Sequence, residues 1–199
     1  MPFPKLRVPK LLWSTCMLAA ALTASAQSSI QDLLGLGSSA DSGGASSIGS
    51  SVFKSAAGEW RLLRPASSNG LDCAVGFKGE TGVFALIGPT SDAKGALLFI
   101  GAKLRPVTAM TETRVALITD KDPAGHKTTL MNAFQLPSEK AAVAISTDMA
   151  ATLRGISDVK RVALRHNEVL VFDLATDGLF AARDALAQCM GMPPIGKAR

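Results

Sequence analysis

Histidine is scarce in this chain of 199 residues, which carries it only at His126 and His166. Nucleophilic catalysis needs a nucleophile, a base and an orienting group within hydrogen-bond reach, and the base is most often histidine. The Gly-x-Ser-x-Gly turn that presents the nucleophile of many serine hydrolases is also missing. These two shortages argue against a serine or thiol hydrolase, and we expect no catalytic residue.

The chain also lacks an apolar run of the roughly 20 residues that a membrane-spanning helix needs. Its N-terminal apolar run, residues 11–22, is far shorter. The run follows three basic residues and precedes Ala24 and Ala26, whose small side chains suit cleavage before Gln27. This pattern predicts a secretory signal peptide over residues 1–26, a periplasmic or secreted protein and no transmembrane segment in the mature chain. An uncleaved anchor is the alternative.

A large excess of positive charge is missing once that segment is removed. Taking its three basic residues from the 21 Lys and Arg leaves 18 against 16 Asp and Glu, a net charge of +2. No dense basic stripe is present, so we expect no nucleic-acid partner. One small patch, Lys160, Arg161, Arg165 and His166, could face an acidic partner or a lipid head group. The competing interpretation is ordinary charge alternation on an exposed strand.

Cysteine is rare too, and only Cys73 and Cys189 remain after the predicted cleavage. Because export delivers the chain to an oxidising compartment, we expect these two residues to form a disulfide. Closing a loop of this length contributes roughly 4 to 5 kcal/mol in the chain-entropy model. Two buried free thiols are the alternative.

The remaining sequence divides by composition. Residues 27–51 are rich in Gly and Ser and predict a flexible tether with one possible short helix. Residues 52–194 have the composition of a single globular domain, and residues 195–199 are predicted to fray.

Short apolar runs separated by turn residues predict an α+β fold. We expect a mostly antiparallel β-sheet, sandwich-like or strongly curved, with two short helices. Ser146 or Thr147 is the predicted cap of the first helix, in which Met149 and Leu153 share a face. The predicted strands cover residues 59–64, 72–78, 82–88, 96–100, 114–119, 128–136, 141–146, 161–165 and 169–174.

The C-terminal unit is the most regular part of the sequence. In its strand, Leu170, Phe172 and Leu174 alternate and predict the core face. Thr176 or Asp177 is the predicted cap of the following helix. Helical spacing places four residues inward and Arg183 on the opposite side, and Gly191 is the predicted end. The inward residues are Leu179, Ala182, Leu186 and Cys189.

Two motifs contain residue types that bind metals or phosphate groups in other proteins. Asp120, Asp122 and His126 lie close enough in sequence to be metal ligands. Aspartates in an Asp-Pro-Ala-Gly stretch are also typical of a turn between two strands, and we favour that interpretation. Residues 191–197, GMPPIGK, match part of a phosphate-binding loop, but Ala198 replaces the required Ser or Thr. We therefore predict no metal and no cofactor.

Several residues carry a resemblance to a known family. They are Gly58-Glu59-Trp60, Cys73, Phe172-Asp173-Leu174, Gly178, Ala182 or Ala185, Leu186 and Cys189. This series resembles the periplasmic proteins grouped with the bacterial invasion-associated locus B family. The chain departs from that family by lacking additional cysteines and by carrying the Gly/Ser tether. The resemblance implies a non-enzymatic envelope protein and transfers no catalytic residue.

The expected function is therefore binding by an exported cell-envelope protein, to a protein or another envelope component. A periplasmic glycan hydrolase is one alternative, which would need two carboxylates facing each other, with Glu80 and Glu112 as candidates. A carrier of a small apolar ligand is the other, and it would need an internal cavity.

Overall fold

The computed structural model describes residues 49–63, 73–88, 94–105, 113–130, 132–135 and 140–195. The predicted signal peptide with Ala24, Ala26 and Gln27 lies outside these residues, as do most of the tether and residues 196–199. The first strand begins at Ser50, two residues before the predicted start of the globular domain.

The larger sheet has seven strands in the order β1-β2-β3-β4-β5-β9-β8. All of its neighbouring strands are antiparallel, as predicted, and the first five follow one another along the chain. Turn residues 79–82 of the sequence form the predicted hairpin between β3 and β4. The strands are β1 Ser50–Ser55, β2 Gly58–Leu63, β3 Ala74–Gly79, β4 Gly82–Ile87, β5 Gly95–Gly101, β8 Asn132–Gln135 and β9 Ala141–Thr147.

The smaller sheet has four antiparallel strands in the order β11-β10-β6-β7. Its strands are β6 Thr113–Thr119, β7 His126–Leu130, β10 Arg161–His166 and β11 Val169–Ala175. The single strand predicted over residues 128–136 is two strands, because the chain leaves the smaller sheet after Leu130 and enters the larger one at Asn132.

A row of aromatic rings in tilted and edge-to-face contact joins the two sheets. Trp60, Phe77, Phe84 and Phe99 of the larger sheet are almost fully buried, and neighbouring ring centroids lie 5.2 to 6.1 Å apart. The ring of Phe99 contacts Phe172 of the smaller sheet at 5.4 Å. Burying each such side chain contributes about 1.5 to 3 kcal/mol. The two sheets therefore enclose one core, which confirms the sandwich-like prediction.

The first of two helices in the described residues, α1, spans Met149–Gly155. Met149 and Leu153 are buried on one face, as predicted. The predicted cap at Ser146 or Thr147 is wrong, because the Asp148 carboxylate accepts the Ala151 amide hydrogen at 2.9 Å. The Thr147 hydroxyl instead pairs with another hydroxyl, on Thr152, at 2.7 Å.

The second helix, α2, spans Leu179–Cys189 and packs on strands β1 to β3. Its predicted side-chain cap is also wrong. Thr176 is buried and donates its hydroxyl to the Val159 carbonyl, and the cap residue is Gly178, with φ of 74°. A Cβ atom at Gly178 would lie 2.3 Å from the Phe53 ring, so the close approach of helix and strand requires glycine here.

Arg183 of α2 corrects another prediction, since its side chain is only 2% exposed rather than facing solvent. The guanidinium lies 4.4 Å from the centroid of the Phe180 ring and bonds to Asp184 at 2.7 Å. It also reaches the carbonyl of Ile195, which packs partly buried against the core. Gly191, with φ of 69°, ends the helix as predicted.

The predicted disulfide joins Cys73, just before β3, to Cys189, the last residue of α2. Its Cα atoms are 5.9 Å apart, and Cys73 is 6% exposed. The bond ties α2 to the larger sheet and is compatible with an extracytoplasmic location. Within the described residues, neither helix has the length and apolarity needed to cross a membrane.

Candidate functional site

The outer face of the smaller sheet, which points away from the core, carries the predicted basic patch. Val162 and Leu164 of β10 are buried, so alternation places Arg161 and Arg165 on the outer face. Strand pairing sets Arg165 opposite Ala116 of β6. Ala116 in turn pairs with Lys127 of β7, so a row of outer-face residues crosses three strands.

A β-bulge in β11 adds an apolar residue to this row. Leu164 pairs with Phe172 but Arg165 pairs with Leu170, which leaves Val171 as the extra residue. The insertion turns Leu170 to the outer face, where it is 38% exposed. The prediction that Leu170 shares the core face of Phe172 is therefore wrong, because strict alternation does not hold across the bulge.

Two members of the predicted patch are neutralised by carboxylates. Arg161 bonds to both oxygens of Asp173, at 2.7 and 2.9 Å, and these hydrogen bonds hold the pKa of Asp173 below its usual value. Lys160 forms an ion pair with Asp177, whose pKa is lowered by the hydrogen bond from that lysine. Lys160 and Arg161 thus present little free positive charge.

The other two members of the patch lie on opposite faces. Arg165 Nη2 donates to the carbonyl of Ala124 at 3.0 Å, and its Nε lies 3.8 Å from Glu168, whose side chain is 90% exposed. His166 follows Arg165 in the strand, so it points away from the outer face, and it is half-buried. The four residues therefore do not form one site.

Arg165 instead lines a cleft of about 480 Å³ on the outer face, which we call the basic cleft. Its charged lining is mostly cationic, with Arg114, Lys127 and Arg165 against the single acid Glu168. Within the described parts of the chain, no carboxylate forms an ion pair with Arg114 or Lys127. The other lining residues are Val115, Ala116, Ala124, Gly125, Thr128, Thr129 and Asn167.

Sheet geometry sets the spacing of the three cations. Adjacent strands lie about 4.8 Å apart, so the Cα atoms of Arg165 and Lys127 are about 10 Å apart across Ala116. Arg114 lies two residues before Ala116 on the same strand, opposite Thr129, and its side chain is exposed. Because alanine is short, the cations surround a low floor on which a small group can rest.

The turn between β6 and β7 forms one wall of the cleft. Asp120 accepts the amide hydrogens of Lys160 and Arg161, at 2.8 and 3.3 Å. Partial desolvation opposes ionisation of Asp120, but these hydrogen bonds outweigh it and lower its pKa. Asp122 accepts the Gly125 amide hydrogen at 3.1 Å, so the Asp-Pro-Ala-Gly stretch is the turn that the sequence predicts.

The candidate metal ligands do not converge in this turn. Asp120 bonds to the backbone of β10, whereas Asp122 bonds within the turn, and His126 begins β7. In the residues that the structure describes, no three His, Cys, Asp or Glu side chains are grouped as metal ligands.

Sequence reasoning missed Arg114 and Lys127. Both lie at predicted strand positions or beside them, but nothing local marks them as neighbours of Arg165. The predicted turn at residues 120–125 offered a signal, because counting outward from it pairs Arg114 with Thr129 and Ala116 with Lys127. The pairing of β6 with β10, more than 40 residues later, carries no such local signal.

The carboxylates considered for glycan hydrolysis lie elsewhere. Glu80 is exposed in the turn between β3 and β4, and Glu112 lies outside the described residues. Glu168 is the one acid lining the basic cleft, whereas glycan hydrolysis needs a facing pair.

In comparisons with protein-family models, curated proteins and solved structures, nothing matches this chain.

Proposed function

We propose that this protein is an exported envelope protein that binds an anionic group of a partner in the basic cleft, without catalysis. The supporting observation is the set of three basic side chains around Ala116, two of which have no ion pair among the described residues. Charges left unpaired around a concave surface are suited to a negatively charged ligand.

The chemistry of the lining fits an oxyanion. A guanidinium offers paired N–H donors that match phosphate or carboxylate, and the ammonium of Lys127 adds a point charge. Thr129, which pairs with Arg114, lines the same cleft and adds a hydroxyl donor. Because Arg114 and Lys127 are exposed, salt screens their charges, and the affinity should fall as ionic strength rises.

The proposal also includes export to the periplasm. The signal peptide covers residues 1–26 and is cleaved after Ala26. The N-terminal sequence pattern and the Cys73–Cys189 disulfide support it. The resemblance to the invasion-associated locus B family also supports a periplasmic, non-enzymatic envelope protein. Mass spectrometry of the exported protein should give a chain that starts at Gln27 and is two hydrogens lighter than its reduced form.

The two alternative functions gain no support from the described residues. A glycan hydrolase would need a second carboxylate facing Glu168 in the cleft. A carrier of apolar ligands would need open space between the sheets, where the rings of Phe84, Phe99 and Phe172 are in contact.

The direct test is a titration of the exported, disulfide-bonded protein with inorganic phosphate and tripolyphosphate, followed by ¹H–¹⁵N NMR. Shifts should concentrate at the amides of Ala116, Gly125 and Lys127. Arg165→Gln should weaken binding about tenfold, because each hydrogen bond to a charged group contributes about 1.5 kcal/mol or more.

Arg161→Gln is the matched control, since it removes an arginine from the same face of the same strand but outside the cleft. Its affinity for tripolyphosphate should stay within about twofold of wild type, because surface charges outside a site contribute little. Equal losses in both variants, or shifts spread over the whole surface, would refute a site in the cleft.

A further inference from the structure

The hairpin between β10 and β11 ends beside the basic cleft and carries exposed apolar side chains. Asn167 and Glu168 form its two-residue turn, with φ of 47° and 64°. Val169 and Leu170 follow, and they are 62% and 38% exposed. Among the described residues, they are the large hydrophobic side chains that face solvent.

Leu170 and the cleft are parts of one surface, whereas Val169 pairs with His166 and projects to the other face. Leu170 pairs with Arg165, which pairs with Ala116, which pairs with Lys127. Directly opposed residues project to the same face of a sheet, so an apolar edge lies beside two cations. Asn167 and Glu168 of the same hairpin line the cleft itself.

We infer that this surface docks on a bilayer containing anionic phospholipids, with a lipid phosphate in the basic cleft and Leu170 at the acyl boundary. The inference rests on the proposed function, because it assigns the anionic partner of the same cleft. A phospholipid joins an anionic phosphate to apolar chains, and the surface places cations next to the apolar side chain of Leu170 in the same way.

A soluble anion would use only half of this surface. It would occupy the cleft and leave Leu170 in water, whereas a membrane covers both parts at once. One apolar side chain is too little for deep insertion, so the attachment is interfacial, reversible and sensitive to salt. Each basic residue near an anionic membrane surface contributes about fivefold in affinity.

The test is cosedimentation of the exported, disulfide-bonded protein with vesicles of phosphatidylglycerol and phosphatidylcholine, against vesicles of phosphatidylcholine alone. Wild type should bind only the anionic vesicles. Lys127→Gln combined with Arg165→Gln should weaken binding about 25-fold, from about fivefold per charge. Lys54→Gln, an exposed lysine on β1, is the charge control and should lose less than about twofold.

The hairpin variant Leu170→Thr separates the membrane from a soluble anion. It should weaken vesicle binding about threefold or more, because the apolar burial of a partly exposed leucine is lost. Its affinity for tripolyphosphate should remain that of wild type. Residues N-terminal to Ser50 are identical in every variant and cancel in the comparison.

A second readout does not depend on that variant. Leu170→Trp places an indole at the hairpin, and anionic vesicles with nitroxide-labelled acyl chains should quench its fluorescence. The indole of Trp60 is fully buried and gives the unquenched baseline in the wild-type protein.

The outcomes separate the two proposals. Tripolyphosphate binding in the cleft without vesicle binding would overturn the membrane inference and leave the proposed function standing. Vesicle binding that survives the hairpin variant, with no quenching at position 170, would also overturn it. Failure to bind either probe would overturn both proposals.

Discussion

Arg183 is the residue of α2 that the sequence analysis assigned to the wrong face. Helical spacing identified the inward face of α2 from Leu179, Ala182 and Leu186, all of which are buried. The sequence analysis placed Arg183 on the opposite side, yet it lies four residues after Leu179 and three before Leu186, so helical spacing puts it on the inward face. The chain after Gly191 folds back so that Ile195 reaches the guanidinium, and local spacing carries no information about that return.

The burial of Arg183 leads to a prediction with two variants. Arg183→Met keeps the length of the side chain and leaves Asp184, which is 57% exposed, free to be hydrated. The free energy of unfolding should therefore change by less than about 1.5 kcal/mol. Arg183→Ala removes the contact with Phe180 and leaves a cavity, so it should cost about 2 to 4 kcal/mol. Urea denaturation monitored by circular dichroism measures both values, and equal costs would contradict the packing role.

At the scale of elements, strand alternation and turn chemistry predicted most of both sheets. The hairpins at residues 79–82 and 120–125 follow from their turn residues. The bulge at Val171 could not be predicted, because it depends on which residues of β10 face β11. The basic cleft was missed for the same reason, since it is assembled by the pairing of β6 and β10.

The pairing of β10 with β11 gives a prediction about pH. Arg161 lowers the pKa of Asp173 from the ordinary value of 3.8, so the folded protein holds its ionised form more tightly than the unfolded chain does. This stabilisation is present above pH 3.8 and is lost as the pH falls through the lower pKa of the folded state. Both side chains are almost half exposed, so the contribution is less than about 1 kcal/mol.

The measurement is the free energy of unfolding between pH 2 and pH 6 for wild type and Asp173→Asn. The difference between the two proteins should be largest at the upper end and vanish at the lower end. Arg161→Gln should flatten the profile to the same extent, because it removes the other partner. If the difference in free energy of unfolding between the two proteins increased as the pH fell, the predicted direction of the pH dependence would be contradicted.

The turn between β6 and β7 gives a prediction for Gly125, which has φ of 86°. A Cβ atom there would lie 2.9 Å from Ile118 and 3.1 Å from Ala116, the floor of the cleft. Gly125→Ala should therefore lower the free energy of unfolding by about 1 to 3 kcal/mol. Gly155→Ala is the control, since nothing lies within 4 Å of an added Cβ at the end of α1, and it should stabilise the protein by about 0.5 kcal/mol or more. Changes of the same sign would contradict this account.

For the whole molecule, the disulfide and the α+β class followed from composition and compartment, whereas the division into seven and four strands did not. Each strand run could be recognised locally, but the sheet to which it belongs is decided by distant partners. Leu130 and Asn132 illustrate this, because one apolar run supplies a strand to each sheet.

The disulfide predicts the largest single effect on stability. It closes a loop with a sequence separation of 116 residues, so replacing both Cys73 and Cys189 by Ala should cost about 4 kcal/mol in the chain-entropy model. Hydrogen exchange should show lost amide protection in α2 before the meander of β1 to β5. A loss in the free energy of unfolding below about 1 kcal/mol, or a uniform loss of amide protection, would contradict the claim that the disulfide holds α2 on the larger sheet.

The strand order also determines which parts of the fold can form first as the chain is made. Strands β1 to β5 are successive neighbours, so they can pair as soon as residues up to Gly101 have emerged. One of the two central strands of the smaller sheet is β10, which begins at Arg161, after strands β1 to β5. Arg165, the β10–β11 hairpin and the disulfide at Cys189 therefore join the fold only after those five strands can pair. A chain cut between β9 and β10 would keep β1 to β5 but lack Arg165 and the hairpin turn that line the basic cleft, so it would not form the cleft.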